Sequence, residues 1–281
     1  MTRLAIEQRF TAGEALLEVL TCPDTERAPR APLVFVHGAY VGAWCWAEHF
    51  LPWFAAHGFP VFALSLRGHG ASGGRERLHG FGLDDYCADL AAIAAQLARP
   101  PVLIGHSMGA LVVQKYFERQ AGRQGPAASA AVFACPVPPF GLLAPSLWLA
   151  AGRPTLFTAM NALAAGGRAS RAALRDALLA GPIDEATLEG IHLRMQGESR
   201  RAIADMTWWG LPQAWHLALP AALVLGAERD ALIPHAMCQA AAQMLGADYR
   251  LLPGLGHALM LDTGWRSAAQ AILDWQAGQG L

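Results

Sequence analysis

Fully apolar segments alternate along most of the chain with segments whose apolar residues recur at helical spacing. The fully apolar segments have the length and composition of strands that are buried on both faces of a parallel sheet. Two earlier segments, at about residues 4–10 and 15–20, alternate between apolar and polar residues and predict edge strands. The other predicted strands are Leu33–Val36, Val61–Leu64, the run that begins at Val102, Ala130–Cys135, Ala221–Gly226 and Asp248–Leu252. The pattern predicts an α/β fold, with a mostly parallel sheet of about eight strands that is flanked by helices.

Helices are predicted in the segments that separate these strands, from apolar residues that fall on one helical face. Asp84 or Asp85 can cap the helix that precedes the strand at Val102. Further helices are predicted at Trp44–His57, after Ser107, at Pro234–Leu245 and around Trp265–Trp275.

The alternation of strand and helix stops between about Phe140 and Trp215, where only helical periodicity is found. We therefore expect three regions: a first part of the body at residues 1–139, a helical cap insertion at 140–215 and a second part of the body at 216–281. The insertion has no glycine-rich linker, so we expect it to sit on the body rather than to move independently.

The charge balance excludes several classes of partner. The 281 residues carry 21 basic and 22 acidic side chains, which provides no electrostatic attraction for nucleic acid or for an anionic membrane. No apolar run is long enough to span a membrane, and the N-terminal residues lack the apolar core of a signal peptide. We expect a cytoplasmic protein that acts on a small, uncharged molecule, without nucleic acid and without stable membrane insertion.

Cysteines and histidines do not form a recognisable metal or disulfide pattern. The five cysteines are scattered and lack a Cys-x-x-Cys pair, which favours reduced packing residues. The ten histidines include no His-Glu-x-x-His spacing, so neither a metal nor a cofactor is expected. The glycine-rich segment Arg67–Ser72 lacks the Gly-Lys-Ser/Thr ending of a phosphate-binding loop and is predicted to be a structured turn.

A Gly-x-Ser-x-Gly turn joins the strand that begins at Val102 to a predicted helix. In Gly105-His106-Ser107-Met108-Gly109 the two glycines permit a very sharp turn, from whose tip Ser107 would project. The helix that starts after Ser107 would place its N-terminal amides under a developing negative charge. This arrangement is typical of a serine nucleophile in acyl transfer.

An acid and a histidine follow later strands. Asp230 comes after the strand at Ala221–Gly226, and His257 comes after the one at Asp248–Leu252, so parallel strands would bring both to the sheet edge that carries Ser107. Histidine can accept the proton of a serine hydroxyl, and a carboxylate fixes the histidine's tautomer. Glu228 is a competing acid, for which a loop-stabilising charge is the favoured interpretation.

The strand at Leu33–Val36 ends in His37-Gly38-Ala39-Tyr40. Because Gly38 lets the backbone turn over the sheet edge, the Ala39 amide can point at the space above Ser107, as half of an oxyanion hole. His37 is more readily explained as a buried structural histidine than as a catalyst.

The chain resembles the α/β-hydrolase family, in particular its capped esterases and lipase-like members. The resemblance rests on the segments at 37–39, 67–72, 105–109, 226–230 and 254–257, and it covers nearly everything except the insertion. Segment 37–46 is similar to plant methylesterases and hydroxynitrile lyases, whereas 67–72 and the long insertion look more like bacterial ester and monoacylglycerol hydrolases. The resemblance implies Ser107 as nucleophile, His257 as base and then acid, Asp230 as orienting acid, and the Ala39 and Met108 amides as the oxyanion hole.

The expected function is cofactor-independent hydrolysis of carboxylic esters through an acyl-enzyme. Carbon–carbon bond hydrolysis, cofactor-free oxygen chemistry and perhydrolysis use the same constellation and stay open, as does a ligand-binding protein on a hydrolase body. Large apolar residues of the insertion are expected to roof an apolar pocket over Ser107. They are Trp148, Phe157, Met160, Met195, Met206, Trp208, Trp209 and Trp215. Tyr40, Trp148, Trp208 and Trp209 are the predicted substrate-binding residues.

Overall fold

Eight strands form one sheet in a computed structural model, which describes residues 6–12, 15–22, 30–121, 128–167, 169–213, 217 and 219–280. The strand order is β1-β2-β4-β3-β5-β6-β7-β8. β1 pairs with β2, and β2 with β4, in antiparallel fashion, whereas every other neighbouring pair is parallel. The strands are β1 (Ile6–Ala12), β2 (Ala15–Thr21), β3 (Leu33–Val36), β4 (Val61–Leu64), β5 (Val102–His106), β6 (Ala130–Ala134), β7 (Ala221–Ala227) and β8 (Asp248–Leu252). The predicted α/β fold with a mostly parallel sheet is confirmed.

Helices cover both faces of the sheet, and the central strands β3, β4, β5 and β6 are therefore fully buried. Side chains of α1, α2 and α11 pack with those of the strands on one face, and side chains of α3, α4 and α10 do so on the other. The helices are α1 (Trp44–Ala47), α2 (Phe50–Ala56), α3 (Leu83–Ala94), α4 (Met108–Gln120), α5 (Leu143–Gly152), α6 (Pro154–Ala164), α7 (Arg171–Leu178), α8 (Glu185–Arg194), α9 (Arg200–Ala204), α10 (His235–Leu245) and α11 (Trp265–Gly278).

The single helix predicted at Trp44–His57 is wrong, because two helices occupy this segment. His49 lies between them with φ −135° and ψ −47°, outside the helical region. Pro52 falls in the first turn of α2, where it needs no amide partner, whereas inside one long helix its ring would collide with the carbonyl four residues earlier. The proline therefore starts a new helix.

Helices α5 to α9, followed by a π-helical turn at Asp205–Trp209, lie between β6 and β7 and form what we call the insertion. Three of its helices begin at a side chain that accepts a hydrogen bond from an amide of the first turn: Ser170, Asp184 and Ser199. The insertion is fastened to the body at Asp262, whose carboxylate accepts hydrogen bonds from the amides of Ala180 and Gly181 at 2.8 and 3.1 Å. The predicted junction at residues 215 and 216, and Trp215 itself, lie outside the described residues.

Candidate active site

Ser107 lies at the tip of a sharp turn between β5 and α4. Its backbone adopts φ 52° and ψ −115°, a conformation that is costly for any residue other than glycine. A side chain at Gly105 would collide with the Gly109 carbonyl, and one at Gly109 would collide with the Val36 carbonyl. The Ser107 amide donates a hydrogen bond to the Ala134 carbonyl at 3.0 Å, which holds the turn over the sheet edge.

Asp230 and His257 form a hydrogen-bonded pair at the same edge of the sheet. The Nδ1–H of His257 donates to Asp230 Oδ2 at 2.7 Å, and both side chains are buried. The other carboxylate oxygen accepts hydrogen bonds from the amides of Leu232 and Ile233, each at 2.8 Å. Asp230 is therefore held rigidly, and the bond to Nδ1 leaves His257 Nε2 as the nitrogen that can accept a proton.

Ser107 and His257 line one cavity of about 200 Å³ below the insertion. The described residues contribute no Asp, Glu, Lys or Arg to its lining. The polar side chains in the lining are those of Tyr40, His106, Ser107, Ser146, Asn161 and His257. An uncharged, mostly apolar molecule is the ligand that this cavity can accommodate without desolvating an unpaired charge.

The segment that follows β3 passes directly over Ser107. A Cβ atom added to Gly38 would lie 3.1 Å from the Ser107 Cβ and 2.8 Å from His106 Nδ1, so only glycine fits there. Ala39 and Met108 both line the cavity. Within the described ranges, neither of their backbone amides donates a hydrogen bond to another residue. Two amide donors are thus available beside the serine.

The predicted tryptophan roof is corrected by the structure. Trp148, Trp208 and Trp209 are 37%, 58% and 82% exposed, and none of them lines the cavity. In the π-helical turn the buried residue is Met206, which faces the cavity and leaves the two following tryptophans outside. In α5, Pro145 and Leu149 share the cavity face, because residues four positions apart lie on one side of a helix.

Other residues of the predicted pocket do line it. Tyr40 is part of the lining, as expected, and Phe157, Met160, Met195 and Met206 supply the insertion's large apolar side chains. The cavity is therefore walled by thioethers and one phenyl ring, with aliphatic leucines between them, rather than by indoles.

The two alternative residues weighed in the sequence have structural partners of their own. Glu228 is exposed, and its carboxylate accepts a hydrogen bond from the Gly254 amide at 2.8 Å. His37 donates from Nδ1 to the Gly38 carbonyl at 2.7 Å and accepts the Leu66 amide at Nε2 at 3.0 Å. Burial, together with the neighbouring His69, lowers the pKa of His37 to about 3, so this imidazole is neutral.

Sequence reasoning missed His106, although it lies inside the Gly-x-Ser-x-Gly motif. Its Nε2–H donates to the His257 carbonyl at 2.9 Å, and the two rings lie 4.8 Å apart. Burial and the adjacent His257 lower the pKa of His106 well below its usual range. His106 is thus a neutral donor that ties the elbow to the backbone of His257.

Cys135 was also missed, because it reads as the last apolar residue of a strand. It follows β6 with φ 42°, and its Sγ lies within 4.8 Å of ligand-type atoms of both Asp230 and His257. These three residues are the set of potential metal ligands that the described part of the chain brings together. Burial and the Asp230 carboxylate raise the pKa of the Cys135 thiol, and Asp230 already bonds His257, so the set fits a hydrogen-bonded cluster better than a cation site.

All five cysteines are buried free thiols. The cytoplasmic location inferred from the sequence stays a prediction. In the described part of the chain, no helix combines the length and apolar character that crossing a membrane requires.

Known proteins resemble this chain in part of the sequence and in the whole fold. The monoacylglycerol lipase of Mycolicibacterium smegmatis is 35% identical over 121 residues, which cover 38% of this chain and 41% of that protein. The non-heme chloroperoxidase of Streptomyces lividans is 39% identical over 110 residues, which cover 38% of this chain and 37% of that protein. The matched stretch thus spans about two fifths of either relative.

Among solved structures, an esterase from Exiguobacterium antarcticum superimposes with a TM-score of 0.72 at 15% identity, over 96% of this chain and 99% of that chain. Likeness at this level of identity concerns the fold alone. The sequence profile of the alpha/beta hydrolase family matches residues 33–271. This match covers most of the chain, and the chain therefore belongs to the alpha/beta hydrolase family.

Proposed function

We propose that this protein is a serine hydrolase that cleaves carboxylic esters of uncharged, apolar small molecules through an acyl-enzyme. Ser107 is the nucleophile, His257 is the general base and then the general acid, and Asp230 orients His257. The Ala39 and Met108 amides form the oxyanion hole. No cofactor takes part in this scheme.

The observation that carries the proposal is that Ser107 and an Asp230-bonded His257 line one uncharged cavity. A serine hydroxyl is a weak nucleophile until a base removes its proton, and a carboxylate on Nδ1 fixes the tautomer in which Nε2 can do so. The strained backbone of Ser107 adds support, because strain of this kind persists where the surrounding structure enforces a functional geometry.

Each step of the proposed reaction can then be assigned to one of these groups. Ser107 Oγ attacks the ester carbonyl carbon while its proton moves to His257 Nε2, and the carbonyl oxygen becomes an oxyanion that accepts the two amides. Collapse of this intermediate breaks the bond to the alcohol, which takes the proton from His257 as it leaves. Water repeats the sequence on the acyl-enzyme and releases the carboxylic acid and free Ser107.

The lining of the cavity favours an uncharged ester over a charged one. Apolar side chains, many of them from the insertion, make up most of the cavity lining, so an acyl chain or an aromatic ring gains by leaving water. The similarity to the monoacylglycerol lipase, which extends over about two fifths of that protein, also supports an ester as the group that is cleaved.

Labelling and turnover test this proposal. A fluorophosphonate probe is expected to label Ser107, and p-nitrophenyl butyrate is expected to be hydrolysed by the wild-type protein. A Ser107→Ala variant should lose both properties and stay folded, because it removes only one oxygen atom. Labelling that persists in the variant would refute the assignment of the nucleophile. A folded wild-type protein without turnover over a panel of esters would favour a ligand-binding role.

A second candidate reaction is favoured by the chloroperoxidase named among the relatives. Hydrogen peroxide in place of water would attack the same acyl-enzyme, giving a peracid and free Ser107. Peracid formation from an ester and peroxide, measured with the wild-type protein and with Ser107→Ala, decides whether this reaction accompanies hydrolysis.

A further inference from the structure

Tyr40, the residue after Ala39, has an unfavourable backbone conformation that hydrogen bonds to the insertion maintain. Its φ is 68°, in the left-handed region that is unfavourable for a bulky residue. Both of its backbone groups are bonded to the insertion. The Tyr40 amide donates to Glu198 Oε2 at 3.3 Å, and the Tyr40 carbonyl accepts the Gln196 amide at 2.9 Å.

Glu198 is fully buried and accepts hydrogen bonds on both carboxylate oxygens. Oε2 takes the His69 Nε2–H at 3.0 Å as well as the Tyr40 amide. Oε1 takes the Tyr86 hydroxyl at 2.9 Å and the Ser199 amide at 2.6 Å. All four partners are donors, so the site is built for a charged carboxylate.

Burial by itself would raise the pKa of Glu198, but the interactions with His69 and the other donors outweigh burial and lower it. Burial likewise opposes the charge on His69, yet Glu198 outweighs it and raises the pKa of His69. The carboxylate that holds Tyr40 is therefore an anion with a fixed partner on the body of the protein.

The Tyr40 amide belongs to the peptide that directly follows Ala39, and the Ala39 amide is the donor proposed for the oxyanion at Ser107. If the Tyr40 amide lost its partner on Glu198, residues 38–40 would relax toward an unstrained φ at Tyr40, and this shift of the backbone would displace the Ala39 amide. We propose that Glu198 of the insertion is a positioning residue for the oxyanion hole, because it holds the strained Tyr40 peptide and thereby aims the Ala39 amide. This inference rests on the proposed function, since it needs an oxyanion at Ser107.

The simpler interpretation is that Glu198 only fastens the insertion to the body. Asp205 offers a direct comparison, because it is another carboxylate of the insertion that accepts a body amide, that of Leu83 at 3.1 Å. The described structure shows no contact of Asp205 with residues 37–40. Fastening alone would make the two carboxylates equivalent in their effect on catalysis.

The experiment compares Glu198→Ala with the matched variant Asp205→Ala, using a p-nitrophenyl ester. For Glu198→Ala we expect kcat to fall by roughly ten- to a hundredfold with KM changed less than about threefold, because a misplaced oxyanion donor affects the transition state and not substrate binding. Asp205→Ala should keep the wild-type kcat and KM. Turnover is normalised to folded protein by circular dichroism.

A transition-state analogue separates positioning from general damage. A trifluoromethyl ketone adds to the serine and places an oxyanion in the hole, so its inhibition constant should rise by the same factor by which kcat falls. If Glu198→Ala does not fold, Glu198→Asp keeps a charge for the network but withdraws it from Tyr40, and the same two effects are expected.

The outcomes are distinct. A folded Glu198 variant with wild-type kcat and wild-type inhibitor affinity overturns the positioning role, while Ser107-dependent turnover leaves the proposed function standing. Equal losses in the Glu198 and Asp205 variants also overturn it, in favour of fastening alone. Failure of the proposed function shows itself separately, as unchanged activity in Ser107→Ala.

Discussion

At the scale of single residues, the carboxylate of Asp230 is fixed by two backbone amides in addition to its hydrogen bond with His257. Two backbone amides at 2.8 Å fix one oxygen, and the other accepts His257 Nδ1–H at 2.7 Å. Under the proposed function the hydrogen bond at Nδ1 selects the tautomer of His257 in which Nε2 carries the lone pair, and the rigid carboxylate fixes the orientation of the ring.

We expect Asp230→Asn to lose about 10⁴-fold in kcat, by analogy with a triad in which the same change left the histidine in the wrong tautomer. An asparagine at this position can offer its NH₂ group to Nδ1, which then keeps its lone pair and moves the proton to Nε2. The measurement is kcat for p-nitrophenyl butyrate, with folding checked by circular dichroism.

Glu228→Gln is the matched control, because Glu228 also lies after β7 but bonds only the Gly254 amide among the contacts described. Its kcat should stay within about threefold of wild type, as for an exposed loop contact. A larger loss in Glu228→Gln than in Asp230→Asn would show that the acid has been misassigned.

The residues of the proposed triad could be singled out from the sequence because each follows an apolar strand, and strand ends meet at one edge of a parallel sheet. Glu198 could not. Its partners His69 and Tyr86 are 129 and 112 positions away in the chain, and nothing in the local pattern shows that this carboxylate is buried. Periodicity reports which face of an element is apolar, but not which polar residue of a distant segment will meet it.

At the scale of elements, strands were easier to predict than helices. The bounds of β3, β4 and β8 are those predicted, because each is a short run closed by turn residues. The first helical segment was predicted as one helix and is two, since local periodicity continues across His49 while the backbone does not. The tryptophans of the insertion were misplaced for a related reason: their number suggested a roof, but the turn that carries two of them presents Met206 inward.

The chain-length preference should therefore depend on the cavity residues of α6 and not on the exposed tryptophans. Within the free volume each further methylene of the substrate should add about 0.8 kcal/mol, or about fourfold in kcat/KM. Phe157→Ala enlarges the cavity and should move the optimum of a p-nitrophenyl acyl series to longer chains. The profile is read as kcat/KM against acyl length.

Trp208→Ala combined with Trp209→Ala serves as the control and should leave the optimum where it is in the wild type. A shift of the optimum in this double variant, with none in Phe157→Ala, would show that the tryptophans contact the substrate. An optimum at acetate for the wild type would show that the apolar cavity does not bind the acyl chain.

At the scale of the whole molecule, the insertion and the body meet around the buried pair of Glu198 and His69. The region also contains Tyr86, Tyr40 and His37, and Arg75 opposes the charge on His69 from nearby. The pair joins the insertion to the turn that follows β4, and it lies next to the segment that passes over Ser107. The sequence predicted that the insertion would cover the elbow, but not that a buried ion pair would hold it there.

This pair should give the stability of the protein a specific dependence on pH. The pKa of His69 is raised above its ordinary value of 6.5, so its contribution is fully present below pH 6.5 and is lost as the pH rises through the higher folded-state pKa. The pKa of Glu198 is lowered below 4.5, so its contribution is present above pH 4.5 and is lost as the pH falls through the lower folded-state pKa. The full contribution therefore lies between about pH 4.5 and 6.5.

His69→Gln tests this dependence, because it removes the titrating cation and keeps a side-chain donor for Glu198. Removing one partner of a buried pair costs on the order of 3 kcal/mol, so the variant should unfold at a clearly lower temperature than the wild type at pH 6. The difference in Tm should shrink as the pH rises from 6.5 through the higher folded-state pKa of His69, since the unfolded wild type loses this proton first and the folded wild type then loses it as well, while the glutamine does not change. Groups that do not interact with the pair titrate alike in both proteins and cancel in the difference. The pKa of His37, which His69 helps to lower, stays low in the variant because burial is the larger cause. Thermal unfolding followed by circular dichroism from pH 5 to 9 provides the comparison. A difference in Tm that stays constant over this range would show that His69 is not charged in the folded protein and that Glu198 is held by its neutral donors alone.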